Sequence, residues 1–270
     1  MQRTCELLDR MQSGLRIGSA VVILAASLAA GLAGVGPARS AAEPEIGTTV
    51  ITVRSVHGYL GQLERPLGEG ARVHLDEVLK TGSESRAELQ LDDDTKLALG
   101  PNGRLVLDDY VVGEKTTKRV SINVLKGALR FVTGDNDKRA YRIDTPSASI
   151  GVRGTVFDLY VHNERETLIL LLEGEIGVCS RTAPGSLAGV CRVIDQRDRI
   201  VYACGNGIVS VPVKWAPSLL PGVPVAIAFP FLEDAPTVDP VIRAEYAAIT
   251  DESAAALRLI NEVRERCRNR

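Results

Sequence analysis

Five short runs between residues 87 and 132 alternate apolar and polar side chains: Ala87 to Leu91, Lys96 to Leu99, Arg104 to Leu107, Val120 to Val124 and Ala128 to Val132. Alternation with period two puts every second side chain on one face of a pleated strand. Turn chemistry separates the runs. Asp92-Asp93-Asp94 sits between the first two and Pro101-Asn102-Gly103 precedes the third, where short polar, proline and glycine residues reverse the chain. Strands this short and closely spaced predict a mainly β chain, built as a sandwich or a short solenoid. A weak internal echo favours stacked corners: Leu125-Lys126-Gly127-Ala128-Leu129 recurs as Leu172-Glu173-Gly174-Glu175-Ile176, with glycine at the same place.

The stretch from Asp144 to Asp158 carries the richest local chemistry. Pro146 biases Thr145 to extended backbone. Gly151 and Gly154 bracket Arg153 and let the main chain turn where a Cβ would obstruct it. Val156 to Val161 then alternates as a strand. The expected arrangement is a strand, a Gly-Arg-Gly corner and a second strand. At such a corner the planar fork of Arg153 can hold a carboxylate with two hydrogen bonds, Asp144 or Glu173 being the candidates. Arg153 and Glu173 are therefore the candidate binding residues, for an acidic group of a ligand or partner. An intramolecular pair that clamps the corner is the preferred reading, because buried or partly buried arginines are usually paired, and Pro146, Gly151, Gly154, Gly127 and Gly174 are the candidate turn positions.

With these residues in view, the chain resembles the FecR family, whose members are periplasmic sensor domains best known from iron-siderophore signalling. The resemblance runs in order through Val78 to Leu91, Lys96 to Leu107, Val124 to Phe131, Thr145 to Thr155 and Leu171 to Ile176, and extends over about Val73 to Val213. It implies a FecR-like β-domain with a sensing or protein-recognition role. A full FecR-type regulator places an anti-sigma segment ahead of its membrane span. Here Met1 to Arg16 is too short for one, so the resemblance implies the sensing half without the transmitting half.

Arg3, Arg10 and Arg16 precede an uncharged run from Ile17 to Gly36, and Ala38 and Ser40 set a small-residue pattern before Ala41. This reads as an export signal with cleavage expected after residue 40, giving a periplasmic or secreted protein. Retention of residues 17–36 as an inner-membrane anchor is the alternative. The division expected is 1–40 for the export signal or signal anchor, 41–72 for an N-terminal extension and first strand, 73–213 for the β-domain, 214–239 for a Pro-rich linker and 240–270 for a helical tail. Cys179, Cys191, Cys204 and Cys267 lie in the exported part. Four cysteines allow three pairings, and disulfides are expected over a zinc site because the spacings are wide and no histidine is near. The closest pair, Cys179 and Cys191, would tie two neighbouring strands.

Seven of the 13 prolines fall between Pro212 and Pro240, among apolar residues such as Val225 to Phe229. An extended segment lying against a hydrophobic surface is expected. Asp239 followed by Pro240 reads as a helix N-cap, and the tail as two short helices. The whole chain carries 32 basic and 34 acidic side chains, a net charge of −2, which argues against nucleic acid as a partner. His57, His74 and His162 are scattered without metal-ligand spacing. Asp92 to Asp94 is read as a hairpin turn rather than a calcium site. No nucleophile and base can be paired. The expectation is a non-enzymatic envelope protein without cofactor or metal, acting on an envelope protein partner, with a membrane-anchored signalling subunit or a glycan- or ligand-binding structural protein as alternatives.

Overall fold

The computed structural model describes residues 43–112, 117–136, 140–183, 186–241, 243–247, 249 and 253–268. The expected export signal or anchor lies outside these residues.

Among the described residues, sixteen strands form one hydrogen-bonded network. The first four are β1 (Glu45–Val53), β2 (Val56–Leu60), β3 (Leu63–Pro66) and β4 (Arg72–His74), followed by β5 (Val78–Thr81), β6 (Arg86–Leu91), β7 (Lys96–Leu99) and β8 (Arg104–Val112). The long strands β9 (Thr117–Val132), β11 (Ala148–Asn163) and β12 (Glu166–Ala183) enclose the short β10 (Tyr141–Asp144). The chain continues with β13 (Ser186–Ile194), β14 (Arg199–Cys204), β15 (Ile208–Val209) and β16 (Val213–Lys214). The segment expected to contribute a first strand ahead of residue 73 therefore contributes three, plus the first residue of β4.

The long strands change partners midway, and this folds the network into two layers. Residues 120–126 of β9 pair with β8 and β10, whereas 127–132 pair with β7 and β11. In β11 the N-terminal half pairs with β10 and the C-terminal half with β9. In β12 residues 166–171 pair with β14 and residues 176–183 with β13. One layer thus runs β4-β1-β6-β7-β9-β11-β12-β14. The other runs β3-β2-β5-β8-β9-β10-β11-β12-β13, sharing the three long strands. Strands that switch sheets at a bulge are a recognised way to close a sandwich corner. Among the described residues only β9 and β10 pair in parallel, so of the two expected architectures the sandwich is the one formed. A solenoid would stack parallel coils.

The corners fall at the glycines of the internal echo. Gly127 (φ +85°) and Gly174 (φ +82°) both lie in the left-handed region. A Cβ on Gly127 would stand 2.8 Å from Gly103 Cα, and one on Gly174 would stand 2.1 Å from the carbonyl oxygen of Gly154. Two strands thus approach backbone to backbone at each bend, which a side chain forbids. At the second bend Gly154 (φ +66°) and Thr155 oppose the single residue Gly174, a β-bulge between the pairs Arg153–Glu175 and Val156–Glu173. The expected Gly-Arg-Gly corner is accordingly a bulge inside one continuous strand. Gly151 adopts no left-handed conformation, so its predicted turn role does not hold.

Between the layers lies the main core. Leu89, Leu97, Leu129, Phe131, Phe157, Leu159 and Ile169 from the first layer meet Leu79, Leu105, Ile122, Ile143, Ile150 and Val178 from the second. Phe131 and Phe157 stack at 5.3 Å. A second core covers the outer face of the first layer: Leu168, Leu170, Leu172, Ile200 and Tyr202 pack under Trp215, Leu219, Phe229, Leu232 and Ile260 of the C-terminal segment. That segment is a string of short turns. It holds 3-10 turns at Pro217–Leu219 and Pro230–Leu232, then α1 (Val225–Ala228), α2 (Ala244–Ala247) and α3 (Ala254–Arg268). The Pro-rich stretch is helical in three places rather than extended, because its apolar residues serve as individual anchors. Trp215 is fully buried, and its Nε1 donates to the Tyr246 carbonyl at 2.9 Å.

Candidate functional site

The two outer faces of the sandwich differ. That of the first layer is covered by the chain's own C-terminal segment. On the second layer, Arg142 of β10, Gly151 of β11, Gly177 of β12 and Val193 of β13 form one cross-strand row. A Cβ on Gly151 or Gly177 would have no atom within 4 Å. The two glycines floor a groove of about 420 Å³, walled by Tyr141, Arg142, Ser149, Val152, Arg153, Glu175, Cys179 and Val193. Here lies Arg153, one of the two candidate binding residues of the sequence reading.

Arg153 pairs with neither predicted carboxylate. Its cross-strand neighbour in the register is Glu175, and Nη1 donates to Oε1 of that residue at 2.9 Å. The Arg153 side chain is 62% exposed, so the pair is a surface pair, not a buried clamp. Asp144 is buried instead between Arg142, at 2.6 Å, and Arg181, at 3.4 Å. Its side-chain hydrogen bond with Arg142 raises the pKa of that guanidinium above the ordinary value, against the opposing effect of burial. Thr145 and Pro146 make the tight link from β10 to β11, in which Thr145 Oγ1 accepts from the Ala148 amide at 2.9 Å.

Glu173, the other candidate, lies beyond the bulge and faces the C-terminal cover. Nη2 of Arg243 donates to it at 2.8 Å. It belongs to an ionic cluster that alternation alone did not reveal. Arg130, fully buried, holds Asp158 through Nε at 2.7 Å and Nη2 at 2.9 Å, while its Nη1 donates to Asp239 at 3.2 Å. Burial pulls the pKa of Arg130 down, and the charges of Asp158 and Asp239 more than reverse this, leaving it above its ordinary value. Arg243 also donates to Asp239, at 2.9 Å. Asp239 is therefore not a helix cap, because two arginines occupy its carboxylate and α2 begins only at Ala244. The available signal was the unbroken run Leu168 to Leu172, which marks a strand buried on both faces. Its neighbours on the same sheet, Arg130 and Asp158, are then buried as well.

The cysteines join as Cys179–Cys191 and Cys204–Cys267. The first staples cross-strand partners of β12 and β13 at the edge of the groove. The second fastens the end of α3 to β14. Asp92 to Asp94 form the β6–β7 turn, where Asp94 takes a positive φ and Asp93 accepts from Tyr141 and Thr95. Each histidine faces a carboxylate: His57 with Glu64, His74 with Glu77 and His162 with Glu166.

The β-domain is thus a sandwich with shared, bulged strands, one self-covered face and one open groove. Residues 77–177, from the start of β5 to the middle of β12, match the family model described as FecR protein. No curated protein matches the chain. Two crystal structures of a proposed anti-sigma factor from Parabacteroides distasonis are similar over 51% of this chain and 59% of their own, at 13% identity and TM-scores of 0.40 and 0.39. No helix among the described residues is long and apolar enough to cross a membrane.

Proposed function

We propose that the chain is an exported, non-catalytic FecR-type domain that recognises a protein partner in the cell envelope through the open groove of its second layer. The observation that carries this reading is the pairing of Gly151 with Gly177. Two adjacent side-chain-free positions on neighbouring strands leave backbone exposed beneath the guanidinium groups of Arg142 and Arg153. In a strand interior glycine costs stability and usually marks a close approach by another backbone or a ligand. Arginines above such a floor suit an acidic group of the partner.

The test fills the groove without disturbing the fold. Gly151→Val and Gly177→Val are made in the full chain, which is expressed with its leader. The captured partners and the intact mass of the mature protein are then recorded from envelope extracts. Loss of one reproducible partner, at unchanged melting temperature, is the expected result. Equal capture by the filled variants removes the groove from the mechanism. A mass beginning at Ala41 marks a cleaved, periplasmic protein, and a full-length mass in the membrane fraction marks an anchored signalling subunit.

A further inference from the structure

On the covered face of the first layer, Glu88, Ala98, Arg130 and Asp158 are consecutive cross-strand partners on β6, β7, β9 and β11. Three of these four are charged and buried. The cover at this point is a strap from residue 233 to residue 243, whose described residues, 233–241 and 243, have no strand pairing to the sheet. Of its backbone amides, Asp239 donates to Pro236 within the strap and Asp234 to Pro230 just ahead of it. Its hold on the row comes from two neighbouring residues. The Val238 amide donates to Glu88 Oε2 at 3.1 Å, and its side chain packs with Ala98 and Phe231. The Asp239 carboxylate takes the third nitrogen of Arg130, the one that Asp158 leaves free.

A permanent cover would gain more from an apolar seam, because buried ion pairs compare poorly with hydrophobic packing of the same volume. A charged seat instead tolerates being uncovered. Arg130 and Asp158 neutralise each other, and water can take the bonds that Val238 and Asp239 make. The strap is also flanked by firm anchors that hold the chain if it lifts, with Phe229 and Leu232 on one side and Ile260 with the Cys204–Cys267 disulfide on the other.

We propose that this row is a second recognition site, for an extended partner segment in which an apolar residue is followed directly by a carboxylate, and that the strap occupies it in cis as a built-in competitor. A partner protein carrying such a segment displaces residues 233–243 and takes over the bonds to Glu88 and Arg130. The site is separate from the groove on the opposite layer.

The probe is a fluorescent peptide of the strap's own sequence, residues 233–243, followed by fluorescence anisotropy on the full chain. The double change Val238→Ala, Asp239→Asn weakens the strap and leaves the seat intact. It should bind the peptide about tenfold or more tightly than the unaltered chain, since a competing cis segment reduces apparent affinity by the fraction of open seats. A peptide carrying the same two changes should not bind. Arg243→Gln, which loosens the strap by removing its bonds to Asp239 and Glu173 and leaves the seat residues intact, should act in the same direction. Equal binding to the unaltered chain and the opened variants overturns the proposal, as does absence of binding to folded variants. Loss of cooperative folding in both variants also overturns it, because the strap would then be part of the core.

Discussion

Replacing Gly174 by alanine tests the backbone contact on which the sandwich corner depends. At φ +82° an L-residue is strained by about 1–2 kcal/mol. The new Cβ would also stand 2.1 Å from Gly154 O, 2.7 Å from Thr155 Cγ2 and 2.9 Å from Gly154 C. Two of these atoms are backbone, so β11 itself must retreat by more than an ångström, at a cost of one or two ladder hydrogen bonds of about 1 kcal/mol each. The sum is about 3 kcal/mol, or roughly 6–12 °C of melting temperature for a domain of this size. Gly151→Ala is the matched control. It lies on the same strand, without positive φ and without an atom within 4 Å of the new Cβ, so its effect should fall within about 1 kcal/mol of zero. Urea titration followed by far-UV circular dichroism measures both. Equal shifts for the two variants would refute the argument that the Gly154–Gly174 approach, rather than glycine content as such, shapes the corner.

Four further outcomes are expected. Arg153→Ala should change stability by no more than about 0.5 kcal/mol in denaturant titration, because its pair with Glu175 is solvent-exposed; a loss of several kcal/mol would restore the buried-clamp reading. Arg130→Met leaves the buried Asp158 without its partner and should cost about 3–5 kcal/mol, whereas Arg130→Met with Asp158→Leu should regain most of it; chemical denaturation of the two variants decides. Burial raises the pKa of Tyr202, and burial followed by a hydrogen bond to Asp198 raises that of Tyr246. Folding therefore retains protons that the unfolded chain loses, and the tyrosine contribution is present below pH 10 and declines above it. Thermal melts between pH 8 and 11 should show a slope that Tyr202→Phe with Tyr246→Phe reduces. Finally, Cys267→Ser opens a cross-link spanning 63 residues and should cost about 4 kcal/mol in the chain-entropy model, read as a lower midpoint under non-reducing conditions.

Period-two alternation from Ala87 to Val132 was sufficient to establish a mainly β chain, since side-chain direction along a strand is a local property. The FecR resemblance was legible for a similar reason: its glycines and turns are short-range features. The paired glycine corners were visible as an echo around Gly127 and Gly174, although their geometry was not. Whether glycine permits a bend, a bulge or an open floor depends on which strand lies opposite, and Gly154 and Gly151 on one strand take two different roles. Arg153 stands out in the sequence between two glycines, but its partner is decided by a register that places Glu175 opposite it. Arg130 and Asp158 read as the polar side of ordinary half-exposed strands. Only the return of the C-terminal segment across the sheet buries them, and a contact such as that of Arg130 with Asp239, 109 positions apart, leaves no period in the chain. Local chemistry thus determined the strands and their turns, while long-range burial decided which charges meet, which face is covered and which groove stays open.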